Sequence, residues 1–541
     1  MNRKTVVLLA VVALLTPSLA ACGGFSSEDD DGGDTIVVGT TDRFLTSGDV
    51  PAPVDPAYAH DAGAWNLLGQ TVQTLMVQPR GGGEPVPEAA ESCGFTDSRN
   101  ERYVCKLCNG LKFSDGDPIT AADVKFSIDR ARALKADSGV LALLSTIDTV
   151  ETQEDDLVIF HLRTADAIFP FKLSTPAAGI VNPKDYDSNT LRHGFSIDGS
   201  GPYTMQAEVK ANEMVKATFT ANPHYKGRLK PKNDKVVLQP FTDADAMGTA
   251  FEQGEIDVMA RTMTPEQIHT LQNNTDSSVN LVEMPGLEIR YLGFNTNAPS
   301  VKNKAVRQAM ARIIDRDQLV SSVYGTAAQP LYSLVPAGIV GHTNAFFNKY
   351  GAPNVSKAHM LLAEANVTTP VELTLHYTTD RYGPTTAREF EILKKQLNDS
   401  GLFDVSIQGT PWDTFHKAAQ KGEYDVYGMS WFPHFPDADN YLAPFLDKDN
   451  SLKLPYANSE IRNTLIPQYR READRLTISE NLTDIQDIVA DDVPVLPLWQ
   501  SNQYLAARND ITGSVYVMNS SATLQLWELS HGMSDETVRH R

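Results

Sequence analysis

Cysteine is scarce, four in 541 residues. That excludes a small disulfide-stapled scaffold, so an apolar core must hold the chain together. Basic side chains are also short, 47 Lys and Arg against 68 Asp and Glu, for a net charge of -21. Nucleic-acid binding needs the opposite balance and is not expected. After the first fifteen residues no apolar run reaches the roughly 20 needed to span a bilayer. There is no Gly-x-Ser-x-Gly elbow and no His-Glu-x-x-His helix, the arrangements that expose a serine nucleophile or grip a catalytic zinc. A secreted hydrolase would have to draw on acids such as Asp123, Glu255 and Asp425, because Gly199-Ser-Gly201 lacks nucleophile-turn spacing. Twelve histidines are scattered, and no internal repeat or low-complexity block stands out in the body. The expectation is a chain that is not an enzyme and carries no cofactor or resident metal.

What is present begins at the N-terminus. Arg3 and Lys4 precede an apolar run from Val6 to Leu15, the build of a secretory signal. Leu19-Ala20-Ala21-Cys22 follows and resembles the lipobox of bacterial lipoprotein precursors. Residues 1–21 are therefore read as a cleaved signal and Cys22 as the lipidated (palmitate-bearing) residue. Residues 22–34, rich in glycine, serine and acids, cannot bury apolar surface and read as a flexible tether. Anchor, leash and body predict a protein held by lipid on the outer face of the cell membrane.

About 500 residues remain, too many for one core, so two or three lobes are expected. Strand-like and helix-like segments alternate, which predicts an α/β body. Thr35–Gly39 and Leu157–Leu162 read as strands. Thr120-Ala-Ala-Asp123 and Thr264-Pro-Glu-Gln267 read as helix starts, and Gly254 and Gly422 as helix stops. Val306, Met310, Ile313 and Ile314 form the apolar stripe of a packed helix. The proline-rich tract Val493–Trp499 should not be an interior strand throughout and looks like a crossing between lobes. In an oxidising compartment Cys93 with Cys105 would close a hairpin and leave Cys108 free. Cys105-Lys-Leu-Cys108 also has the CxxC spacing of a redox or metal motif, but it lies in a strand-like run with no second ligand pair.

Five segments in order resemble the extracellular solute-binding proteins of family 5, the oligopeptide/dipeptide class. They are Gly110–Phe126; Gly199-Ser-Gly-Pro-Tyr203; Ala221–Gly227; Phe294–Pro299 with Ala305–Ala309 and Ile314–Asp317; and Trp412, Gly422–Asp425 and Trp431–Leu442. The resemblance runs from about Thr35 to Trp527. It implies a two-lobed periplasmic-binding-protein-like fold with a third subdomain inserted in the first lobe. Lobe I would span 35–75 and 200–294, the insertion 76–199, lobe II 295–499, and 500–541 would return to lobe I and end in a tail.

The resemblance also implies a monomeric binding protein. It would capture a small extracellular ligand, a peptide, for an ABC permease and ATPase. Siderophores, metal chelates, oligosaccharides and modified amino acids are the alternative ligands, and signalling or chaperone-like use of the fold is a further one. Peptide main chain would pair with His60-Asp61-Ala62 and Ser430-Trp431-Phe432, with Trp412 and Trp431 lining side-chain pockets. One departure stands out. Three residues after Trp431, where peptide binders carry an ammonium-binding aspartate, this chain has His434, which cannot supply a permanent negative charge. Asp437, Asp439 or Asp61 are the candidate replacements. Arginines that some relatives direct at the peptide carboxylate are replaced by Ala419 and Gly428. For a metal chelate, His60, His416 and His434 would be the contacts.

Overall fold

Two long strands, Val279–Phe294 and Val495–Arg508, organise the computed structural model, running antiparallel through the middle of an eleven-stranded sheet. Residues 35–532 are described, apart from 49, 60, 81, 135–139, 275–277, 449 and 476. The signal, Cys22, the tether and His60 lie outside the described residues.

On one side of the central pair the sheet continues through Val258–Ala260, Thr35–Thr40, Lys235–Pro240, Glu213–Ala221 and Tyr203–Lys210. On the other it continues through Val426–Trp431, Val371–Thr378 and Phe403–Thr410, with Ala328–Pro330 added beside Val495–Arg508. The central strands serve both halves. Residues 279–285 pair with 502–508, next to Val258–Ala260, whereas 289–294 pair with Val426–Trp431. Register breaks between Pro285 and Ile289, so the chain passes from one lobe to the other inside a strand.

That corrects the reading of Val493–Trp499. The tract is a crossing, but from Val495 it is also a fully buried central strand. Pro497 is tolerated because register slips there: Arg290 faces Trp499 and Tyr291 faces Pro497. Leu498 bulges out of that ladder, which is where a strand can accept a residue without an N–H. The orphaned carbonyls find other donors, Arg316 Nε to Pro497 O at 2.7 Å and Leu331 N to Leu498 O at 3.1 Å.

A separate apolar core surrounds the antiparallel sheet Ala90–Phe95, Arg102–Leu107, Leu157–Leu162 and Ile147–Gln153, covered by the helix Ala121–Leu134. Cys93 and Cys105 face each other across two of its strands and are disulfide-bonded, leaving Cys108 free. Helix starts follow the sequence with one variation. Thr264 and Gln267 form a complete reciprocal cap. At Thr120, by contrast, hydroxyl and N–H both donate to Asp123, at 2.8 and 2.7 Å. The helix Lys304–Ile313 is capped by Asn303 and buries Val306, Met310 and Ile313. Gly254 ends its helix in the left-handed conformation, φ 80°.

The glycines of Gly199-Ser-Gly201 serve close packing. A Cβ on Gly199 would lie 2.3 Å from Thr71 O, and one on Gly201 2.5 Å from the Thr71 carbonyl carbon. Gly201 N instead donates to Thr71 O at 2.9 Å, seating the end of the helix Ala62–Thr71.

Candidate functional site

The break at Pro285–Ile289 brings charged side chains of both lobes together. In the segment Leu287-Glu288-Ile289-Arg290 alternate residues are ionic, and Ile289 and Arg290 lie opposite Trp431 and Ser430. Arg290 is fully buried and paired: its Nε donates to Glu389 at 2.9 Å and its Nη2 lies 2.8 Å from the same carboxylate. Glu389 also accepts from the Tyr324 hydroxyl at 3.1 Å and Trp499 Nε1 at 2.9 Å. This knot is neutral and nearly saturated, so it reads as support for the site.

Glu288, two residues earlier, is different. It is partly exposed and takes part in no ion pair among the described residues. The Ser430 hydroxyl is its hydrogen-bonding neighbour. Desolvation pushes its carboxyl above the ordinary glutamate value, with Ser430, Arg290 and Arg261 opposing and Glu389 adding to the rise.

Arg261 arrives from lobe I, directly after the strand Val258–Ala260. Its Nε lies 3.2 Å from Asp42 Oδ1, while its Nη1 is buried with no hydrogen-bond acceptor. Arg261 and Thr262 are consecutive non-glycine residues at positive φ, 64° and 48°, a strained conformation that surrounding structure must maintain. The guanidinium lies 5.9 Å from the Phe432 ring centroid, so the lobes meet at this point. Asp42 is raised by desolvation, which Arg261 and the more remote Arg381 oppose and Asp61 reinforces.

The residues named from the sequence spread around this centre. Asp61 caps the helix Ala62–Thr71, its carboxylate accepting from Ala64 N at 2.9 Å, and Ala62 opens that helix. Ser430 is buried and Phe432 half-buried. Trp431 is half-buried too, but its Nε1 is buried without an acceptor. His434 lies between two indoles, 4.7 Å from the Trp65 ring and 5.6 Å from Trp431. Trp412 opens the helix Trp412–Gln420 under the Arg381 guanidinium, 4.3 Å away, and stacks on His416 at 4.8 Å.

Asp437 and Asp439 face other cations. Asp437 accepts from Arg475 Nη2 at 2.9 Å and from the Tyr469 hydroxyl. Asp439 accepts from Arg470 Nε at 2.9 Å. Each carboxylate is already matched. Gly428 could not be the family's arginine here, since any Cβ would lie 2.3 Å from the Phe390 ring.

A cavity of about 100 Å³ lies beside His434 and Trp65, lined also by Gln73, Glu88, Thr175 and Trp527. A larger hollow of about 530 Å³, around Glu372, His376, Asp404 and Asp425, opens at the other end of the lobe II strands from Trp412 and Trp431. It is remote from the junction.

The sequence profile of the bacterial extracellular solute-binding proteins, family 5, matches residues 84–453. The chain belongs to that family. It is similar to the probable D,D-dipeptide-binding periplasmic protein DdpA of Escherichia coli K12, 24% identical over 86% of this chain and 90% of the relative. The dipeptide-binding protein DppE of Bacillus subtilis is 24% identical over 88% of this chain and 91% of its own. Among solved structures, the binding protein DppA of Helicobacter pylori in complex with the peptide STSA superposes with a TM-score of 0.78, at 20% identity, covering 92% of this chain and 98% of that one. AgaA of A. tumefaciens R10, in complex with agropinic acid, gives 0.76 at 21% identity over 91% and 96%. The two structural likenesses establish that this family 5 protein shares their two-lobed α/β fold.

Sequence reasoning missed Glu288, Arg261 and Asp42. Glu288 left a trace, because an acid and a base alternate with apolar residues in Leu287–Leu292, a run otherwise fit for burial. Arg261 left none, since a positive φ at a non-glycine residue is invisible in sequence.

Proposed function

We propose that this family 5 protein is the substrate-binding lipoprotein of an ABC importer. It captures short extracellular peptides by closing two lobes on them and delivers them to a membrane permease. The observation that carries the reading is the junction itself. Two lobes are joined by two antiparallel strands, with the half-buried Trp431 beside the crossing, and peptide-binding relatives cover 86–88% of the chain. Hinged closure makes affinity depend on the free energy of bringing the lobes together.

Lobe I (35–75 and 200–294), the insertion (76–199), lobe II (295–499) and the return from 500 belong to this reading, with the hinge itself at Pro285–Ile289. Cys22 is its lipid anchor and the outer face of the membrane its place of work. The protein acts as a monomer and carries out no catalysis.

Native mass spectrometry of the protein purified from its host, reading co-purified ligands, tests the function directly. Peptides should appear, and the radius of gyration should fall when they bind. A siderophore, sugar or opine in their place would overturn the peptide assignment. Replacing Cys22 by Ala should release the protein to the medium or leave an uncleaved precursor.

A non-peptide ligand is the second reading. It is favoured by His434 at the ammonium-binding position and by the arginines already holding Asp437 and Asp439.

A further inference from the structure

We propose that the hollow beside His434 is a subsite for a short acyl group, so that the peptides this protein takes best are N-acylated rather than free amines. The proposal rests on the peptide reading above.

Distant stretches of chain build the hollow: the helix Ala62–Thr71, Glu88 and Thr175, the residues after Trp431, and the C-terminal segment at Trp527. Trp65, Val72, Leu229, Phe435 and Trp527 give it an apolar face. Trp65 spends its N–H on Ala59 O at 2.8 Å, so its ring is left as bare wall. Among the described residues no lysine or arginine lines the space.

Gly69 shows that the space is kept open. A glycine inside a helix is destabilising relative to alanine, so a packing reason is expected for it. Gly199 and Gly201, against the end of the same helix, have one, because a Cβ on either would strike Thr71. Gly69 lines the hollow, and no atom of the described residues lies within 4 Å of where its Cβ would stand. The helix surface is bare there with no protein group to fill it.

The wall selects the guest by its chemistry. An ammonium group needs a carboxylate free to meet it. Asp437 and Asp439 are held by Arg475 and Arg470, and His434 brings no permanent negative charge. Glu88, on the wall, already accepts from neutral donors: Gln73 Nε2 at 3.2 Å, the Tyr225 hydroxyl, and Arg228 N at 2.9 Å. Gln73, also on the wall, is 3% exposed, and its Oε1 has no donor. The hollow is thus short of an N–H and of apolar bulk, and an amide carrying a small alkyl chain brings both.

Size limits that chain. The hollow is about 100 Å³, below the roughly 150 Å³ of an engineered cavity that binds benzene. About four carbons fit on that scale, a butanoyl group rather than a long lipid tail.

The test uses the full chain and a library of di- to tetrapeptides, free, N-acetylated, N-butanoylated and N-hexanoylated, with binding read by calorimetry. Wild type should bind butanoylated peptides about 10-fold more tightly than acetylated ones, the effect of burying two more methylenes. Hexanoyl should add nothing, and free peptides should bind most weakly. Gly69→Leu fills the hollow and should bring acetylated and butanoylated peptides level. Leu229→Ala enlarges it and should move the optimum to hexanoyl.

Thermal unfolding without peptide tells a filled hollow from a damaged helix. Gly69→Leu should melt no lower than wild type, because leucine favours a helix over glycine. A lower midpoint would make Gly69 a packing residue and overturn the inference. If wild type binds peptides but prefers free amines to every acylated form, the subsite is refuted and the peptide reading stands. A butanoyl preference that survives both variants would place the chain elsewhere and also refute it. If wild type binds no form of the library, the peptide reading itself fails and takes this proposal with it.

Discussion

Two charged regions of unequal burial behave in opposite ways, the seam at Asp55 and Arg130 being closed off and the one at Arg261 and Glu288 partly exposed. At the seam between the inserted subdomain and lobe I, Arg130 donates from Nη1 and Nη2 to Asp55 at 2.8 and 2.7 Å and from Nε to Asp187 O at 2.6 Å. Asp55 accepts further N–H bonds from Ala57 and Arg192. Every strong group there is spent. At the seam between the lobes, Glu288 takes part in no ion pair among the described residues and Arg261 Nη1 lacks an acceptor. A saturated charge cluster is architecture, because a ligand could add nothing to it.

The sharpest way to break that contrast is to unbalance the saturated seam. Arg130→Met leaves Asp55 enclosed without its cation, and urea denaturation should register a loss of about 3–5 kcal/mol. Peptide affinity, measured below the transition, should stay at the wild-type value. A change in affinity without a loss of stability would reverse the roles assigned to the two seams.

Removing the Cys93–Cys105 bond as a Ser/Ser double variant should cost roughly 3 kcal/mol in the chain-entropy model. The bond closes a short loop, with a sequence separation of 12. Peptide mapping under non-reducing conditions checks the pairing first. Cys108, whose thiol burial pushes toward higher pKa, should react slowly with alkylating reagents at neutral pH.

Asp61→Ala removes a helix cap and should lower stability by about 1 kcal/mol. Because Asp61 also lies near Asp42 at the junction, affinity for free peptides should be measured in parallel. A loss there would make Asp61 an anchor.

The smallest effect on stability has the opposite sign. Desolvation holds the Glu288 carboxyl above its ordinary value, against Ser430, Arg290 and Arg261 and with Glu389. Ionised Glu288 is therefore the costly form. Its penalty is absent below the ordinary glutamate range and grows as pH rises through the raised folded value. Glu288→Gln should melt slightly above wild type at neutral pH, and the difference should vanish in acid. Melting curves of the two proteins between about pH 4 and pH 8 decide the point, and a gain that persists in acid would refute it.

Local physics made much of the chain legible before any fold was known. Short apolar runs marked Thr35–Gly39 and Leu157–Leu162 as strands, and the first extends to Thr40. The Thr264–Gln267 cap and the Gly254 stop marked helix ends, and closing a hairpin paired Cys93 with Cys105. Such signals act over a few residues, so neighbours in sequence carry them. The motif order from Gly110 to Leu442 carried the family as well.

What only the tertiary structure decided are the meetings of distant residues. Pro497 inside a central strand depends on a bulge opposite Arg290 and Tyr291, which no local rule contains. Asp437 and Asp439 were reasonable ammonium anchors by sequence distance, until Arg475 and Arg470 took them. Glu288 and Arg261 lie 27 positions apart with a helix between them, and the fact that one takes part in no ion pair among the described residues while the other leaves Nη1 without an acceptor is a property of everything packed around them. Sequence by itself determined the elements and their order, because propensity, capping and periodicity are local. The site required tertiary structure, because whether a charge is satisfied depends on which distant groups the fold brings within hydrogen-bond reach.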